Sequence, residues 1–142
     1  MTIEPKVAAS ERSRRRPHVL IVDDDDVVRI LLQEICEEYG WDVVAAPTRA
    51  DAIVAVERHE LDLVLLDFHL DDGDALGLLV QLHAACPRTP IVVVTGQSPD
   101  ELIVSIRQAG GDGVVGKPCS VAQVAALLGR YRPTAAECMV SP

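Results

Sequence analysis

No stretch of this 142-residue chain approaches the roughly 18 consecutive apolar residues that a membrane span needs, and the N-terminus lacks the apolar block of a secretory signal. Paired cysteines are missing as well. Cys36, Cys86, Cys119 and Cys138 are widely spaced, lie in or near apolar stretches and show no zinc-ligand pattern, which suits a reducing interior. Positive charge is scarce beyond the first 17 residues, where Lys6, Arg12, Arg14, Arg15 and Arg16 stand against Glu4 and Glu11; the net charge is −9. An acidic body of this kind disfavours nucleic acid as a partner. These absences together predict a cytoplasmic protein.

What is present is enough for one ordinary domain, with 49% apolar residues to build its core. Residues 1–16 are polar, Arg-rich and without hydrophobic period, so they read as a flexible tail, either simply solvated or serving to dock or tether. Pro17 marks the junction. A domain is expected over 17–132, and 133–142 form a C-terminal tail too short for a second domain, so the reading is of a complete single-domain chain. Short β-branched runs at 18–22, 42–46, 61–66, 90–94 and 113–116 each precede a helical period, which is βα five times over. Leu63 to Leu66 and Ile91 to Val94 are apolar on both faces, as central parallel strands covered on both sides must be. The expected fold is α/β with a doubly wound five-stranded parallel sheet.

The helices are punctuated. Val28, Leu31, Leu32, Ile35 and Tyr39 share one face of the first helix, which Gly40 ends. Thr48 with Asp51, and Ser98 with Glu101 after Pro99, match the capping box that satisfies the orphan amides of a helix start. Ala75, Leu78, Leu79 and Leu82 define a third helix; Leu102, Ile103 and Ile106 a fourth; Val121, Val124, Ala125 and Leu128 a fifth.

Four consecutive acids, Asp23 to Asp26, follow Val19-Leu20-Ile21-Val22, where a buried strand emerges. Like charges at ~4 Å repel by roughly 4 kcal/mol near a protein surface. A hard divalent cation is one remedy; helix capping by Asp25 and Asp26 with the others solvated is another. For the run alone both stand.

In an open parallel sheet ligands bind beyond the carboxyl ends of the strands. Those positions hold Asp23 and Asp24, then Asp67, Thr95 and Lys117-Pro118, while the second strand ends in Ala45 and Ala46 as an edge strand could. Val-Asp-Asp, Asp-Leu-Val-Leu-Leu-Asp, Val-Thr-Gly and Lys-Pro, in this order and spacing over about residues 18–131, resemble the response regulator receiver domain of two-component signalling, here as a stand-alone single domain. The resemblance implies a flavodoxin-like (βα)5 fold with strand order 2-1-3-4-5. It implies Asp67 as phospho-acceptor, and a Mg²⁺ site of Asp23, Asp24, Asp67 and the His69 backbone carbonyl, with Asp24 a direct ligand and Asp23 one through water. It also implies Thr95 and Lys117 as phosphoryl-stabilising groups, Thr95 as part of the switch, and a Lys117-Pro118 bond that is commonly cis. The His69 imidazole either tunes phosphoryl lifetime or is a plain loop histidine. Two residues depart from the pattern. Val114 stands where receivers usually carry a switching Tyr or Phe, and Cys119 replaces the usual Phe after Lys-Pro, either as an acidified thiol near a helix start or as a small apolar residue.

The implied function is Mg²⁺-dependent acceptance of a phosphoryl group on Asp67 from a sensor histidine kinase or histidine phosphotransfer protein, with output through contacts to a downstream protein target. Such a protein is no enzyme beyond its own phosphorylation and dephosphorylation. Val114 motivates an alternative, a receiver-like scaffold indifferent to phosphorylation. A Mg²⁺-dependent hydrolase of the haloacid dehalogenase kind fits poorly, because it wants a second acid two residues after the nucleophile and His69 stands there.

Overall fold

The computed structural model describes residues 16–70 and 74–133. The expected N-terminal tail before Arg16, the expected C-terminal tail after residue 133, residues 71–73 and Cys138 lie outside the described residues. The elements run β1 (His18–Val22), α1 (Asp26–Glu38), β2 (Asp42–Ala46), α2 (Arg49–Arg58), β3 (Leu63–Asp67), α3 (Ala75–Ala85), β4 (Ile91–Thr95), α4 (Pro99–Gln108), β5 (Gly113–Gly116) and α5 (Val121–Tyr131). All strand pairs are parallel and their order is β2-β1-β3-β4-β5. This is the expected doubly wound (βα)5 sheet with β2 and β5 at its edges.

Alternation along the three central strands divides the core in two, as the period of a strand requires. Leu20, Val22, Val64, Leu66, Ile91 and Val93 face one side, where Ala52, Ala55 and Val56 of α2, Leu78, Leu79 and Leu82 of α3 and Ile106 of α4 cover them. Val19, Ile21, Leu63, Leu65, Val92 and Val94 face the other, under Leu32, Ile35 and Cys36 of α1, Trp41, and Val124 and Leu128 of α5. Burying a Leu or Val side chain fully contributes roughly 1.5–3 kcal/mol, so the middle of the sheet is the fixed frame on which the strand ends are held.

Several expectations are corrected. β3 ends at Asp67 and β4 at Thr95, because the ladder continues through Asp67 opposite Val94 and Thr95 opposite Gly116. The buried stripe of α1 is narrower than the apolar one. Leu32 and Ile35 are covered together with Cys36, whereas Leu31 is 51% and Tyr39 46% exposed. Val121 of α5 is likewise exposed. Thr48 caps α2 by accepting the Asp51 N–H, and its hydroxyl donates to the Asp51 carboxylate. Ser98 precedes α4 without any side-chain cap bond; the Glu101 N–H goes to the Ser98 carbonyl instead, with Pro99 at the start of the helix. A full capping box does form at α5, where Ser120 accepts the Gln123 N–H and the Gln123 side chain accepts the Ser120 N–H. Its Ser-x-x-Gln signature was there to be read.

Candidate functional site

Each loop at the carboxyl edge is shaped by its own acid. Asp23, 1% exposed, accepts the Asp25 N–H on Oδ1 at 2.9 Å, which bends the chain out of β1. Asp25 is the N-cap of α1 and accepts the Val27 and Val28 N–H groups, and Asp26 opens the helix. Arg29, one turn on, donates to the Asp23 carbonyl at 2.9 Å and to the Asp26 carboxylate, tying helix to loop. The run of four acids therefore splits, its second half being used locally. At the end of β3, Asp67 Oδ1 accepts the His69 N–H at 3.1 Å.

Asp23, Asp24 and Asp67 each bring a carboxylate oxygen to within 4.8 Å of the others. Asp67 is 3% exposed and Asp24 half-buried. Lys117 reaches in from the end of β5, its Nζ 2.9 Å from Asp67 Oδ1 and 3.6 Å from Asp23 Oδ2. Burial, helped by the charges of Asp67 and Asp24, raises the Asp23 carboxyl above its usual range despite the Asp25 amide and Lys117. Burial alone would lower the Lys117 ammonium, but its bond to Asp67 and the charge of Asp23 outweigh that and raise it. The ammonium is thus held in its charged form. A cluster of hard oxygens with more negative charge than its own cation offsets is chemically suited to an oxygen-loving divalent ion.

Thr95, fully buried at the end of β4, accepts the Gln97 N–H at 3.0 Å, and its Oγ1 lies 3.2 Å from His69 Nε2. The Thr95 carbonyl accepts the Lys117 N–H at 2.6 Å, so the ends of β4 and β5 are tied at one joint that carries both residues. A side chain at Gly96 would meet nothing within 4 Å, so the space beside Thr95 is open and glycine is not required there. The Lys117-Pro118 bond is cis, as the resemblance implied. Val114 is half-buried and packs against the α2–α4 core, so no ring on β5 is available to rotate. His69 stands where a second carboxylate would be needed for hydrolase chemistry, and its ring lies beside Thr95.

Sequence reasoning left the His69 ring open and did not single out Arg29. No residue pattern marks either contact. Cys119 is not an acidified thiol: burial raises it, the nearby Lys117 charge only partly opposing. Cys86 is raised by burial too, and Cys36, wholly enclosed under α1, is pushed up to about 12. All three are free thiols of the packing.

With this geometry in hand, comparisons with known proteins agree. The family model of the response regulator receiver domain matches residues 19–128. Alginate biosynthesis transcriptional regulatory protein AlgB of Pseudomonas syringae pv. tomato is 32% identical over 117 residues, covering 82% of this chain and 25% of AlgB. A CheY-like response regulator receiver domain protein from Methanospirillum hungatei superposes with a TM-score of 0.75 at 28% identity, covering 87% of this chain and 97% of that one. A two-component response regulator from Clostridium difficile gives 0.77 at 26% identity, over 89% and 100% of the two chains. The chain spans less than half the length of the curated relatives it matches. No helix among the described residues is long and apolar enough to cross a membrane.

Proposed function

This chain belongs to the response regulator receiver domain family, and on that premise we propose that Asp67 is the residue that accepts a phosphoryl group, from a sensor histidine kinase or a histidine phosphotransfer protein. The observation that carries the reading is the meeting of Asp67 with two further carboxylates within 4.8 Å and with the Lys117 ammonium at 2.9 Å. A carboxylate so placed is a nucleophile whose neighbours can offset charge on a transferring phosphoryl group.

An oxygen of the Asp67 carboxylate attacks phosphorus, a P–O bond forms as the donor's P–N bond breaks, and the imidazole leaves with the electron pair and takes up a proton from solvent. Asp23, Asp24, Asp67 and the His69 backbone carbonyl would hold Mg²⁺. Bound there, the ion supplies positive charge to the phosphoryl oxygens, which is its usual part in phosphoryl transfer. Lys117, already at Asp67, passes its charge to the new phosphoryl oxygens. Thr95 donates its hydroxyl to one of them.

The acceptor domain is 17–132. It catalyses nothing beyond its own phosphorylation and dephosphorylation, works in the cytoplasm without nucleic acid or a membrane span, and passes its state to a downstream protein through the α4–β5–α5 side. Phosphorylation acts by shifting a two-state equilibrium. Val114, which offers no ring to reorient, supports a second reading, a receiver-like scaffold whose contacts ignore phosphorylation. Partner affinity unchanged by a phosphoryl analogue would favour that one. The primary reading is tested by intact mass after exposure to a small acyl-phosphate donor with Mg²⁺. One phosphoryl group is expected on the native chain and none on Asp67→Asn; no gain, or an equal gain in the variant, overturns it.

A further inference from the structure

The Arg29 side chain is 15% exposed, against 78% for Asp26, the acid it pairs with three positions back on α1. A solvated pair at that spacing stabilises a helix only slightly, and taking a guanidinium largely out of water calls for a further acceptor. That acceptor is the Asp23 carbonyl, to which Nη1 donates at 2.9 Å. The guanidinium fork thus spans the turn, one arm on the main chain where β1 ends and the other on the first residue of α1.

The Asp23 carbonyl belongs to the peptide that joins Asp23 to Asp24. A peptide unit and its two flanking Cα atoms lie in one plane, so holding the carbonyl sets the direction in which the chain leaves one acid and enters the next. The rest of Asp23 is held as well: its N–H donates to the Ala46 carbonyl at 3.2 Å, and its Oδ1 accepts the Asp25 N–H. Oδ2 is left to face the Lys117 ammonium, 3.6 Å away. α1 is a firm base for the clamp, since Leu32, Ile35 and Cys36 on its inner side are buried. Two of the three carboxylates that converge with Asp67 therefore start from a main chain that a side chain of α1 fastens.

We infer that Arg29 is a positioning residue of the cation site, fixing the Asp23–Asp24 peptide so that the two carboxylates meet the geometry that Mg²⁺ demands. This rests on the Mg²⁺ site proposed above. By charge alone Arg29 acts the opposite way, because a guanidinium near the acids repels any divalent cation. Its contribution is direction. Mg²⁺ needs near-ideal octahedral geometry, whereas Ca²⁺ accepts looser arrangements of the same kind of oxygens. Loss of the clamp therefore falls chiefly on Mg²⁺, and Arg29 makes the site prefer Mg²⁺ over Ca²⁺ more than its acids would unaided.

The test compares the dissociation constants of the full chain for Mg²⁺ and for Ca²⁺, each read from amide chemical shifts along a titration. In Arg29→Met the Mg²⁺ affinity should fall about tenfold, the lower end of what losing a group behind a metal ligand costs, and the Ca²⁺ affinity by less than about threefold. Arg29→Lys keeps the charge but not the fork; its Mg²⁺ affinity should fall about threefold with Ca²⁺ binding unchanged, and it decides alone if Arg29→Met does not fold. Asp26→Asn releases only the outer arm and should keep the native ratio of the two affinities. An unchanged ratio in either Arg29 variant, or tighter Mg²⁺ binding by Arg29→Met, overturns the inference, as does a shift in Asp26→Asn as large as that in Arg29→Met. Mg²⁺ bound equally well by the native chain and by Asp67→Asn overturns instead the cation site on which the inference rests.

Discussion

Acids stand at both ends of this sheet, and they are used in opposite ways. At the amino end Asp62 accepts the His18 N–H at 2.8 Å while its own N–H donates to the His18 carbonyl at 2.8 Å. Asp112 repeats the device on β4, accepting the Ile91 N–H at 2.9 Å and donating to the Ile91 carbonyl at 2.8 Å. Each acid reaches across to a neighbouring strand and satisfies an amide at its start. At the carboxyl end the only backbone amides that the Asp23 and Asp67 side chains bond among the described residues lie two residues on, Asp67 also takes the Lys117 ammonium, and oxygens of both acids turn toward each other and toward Asp24. Burial of a carboxylate is therefore no mark of a site by itself; the mark is charge that the backbone leaves unanswered.

That contrast can be broken from either end. Lys117→Ala removes the cation that answers Asp67 and should slow phosphorylation by an acyl-phosphate donor on the order of a hundredfold, the usual scale for losing one preorganised electrostatic partner, measured by the rate of mass gain. Asp62→Ala leaves the His18 amide without its partner and should cost about 1–3 kcal/mol in urea unfolding, with phosphorylation of the folded protein retained. Loss of phosphorylation there would erase the distinction between the ends. Asp23→Asn goes the other way: the folded carboxyl is raised, so neutralising it should stabilise the Mg²⁺-free protein at neutral pH, read as a higher urea midpoint, while weakening Mg²⁺ binding. The sign follows from linkage, since a raised acid favours folding less once both states are ionised. A stability loss in that variant would show that its bond to the Asp25 amide outweighs the repulsion. Asp42→Ala, at an exposed pair with Arg16, should change stability by less than about 0.5 kcal/mol.

Much of this was readable in the residues. The alternation of apolar runs and helical periods fixed five strands and five helices, and β1, β2 and β5 fall where the runs place them. The ends of β3 and β4 did not, because an apolar run stops at the first polar residue whereas the ladder carries Asp67 and Thr95 as full members. Periodicity also could not tell which edge of the α1 stripe meets the sheet. Leu31 and Tyr39 look as apolar as Leu32 and Ile35, and only packing against Trp41 and α5 selects between them. Asp23, Asp24, Asp67, Thr95 and Lys117 could be singled out because strand ends in a parallel sheet converge by topology, and the roles proposed for them come from the family resemblance. The His69 ring could not, since its orientation is set by contacts to Thr95 and Phe68 that no spacing encodes.

Lys117 enters the chain 50 residues after Asp67, directly behind the strand made last. During synthesis from the N-terminus, β1 and β3 can pair and gather their three carboxylates long before the ammonium that partly offsets them exists. The half-made sheet is therefore at odds with itself at the very edge where it will later work. A chain halted before residue 117 would carry these three acids without the ammonium that partly offsets them.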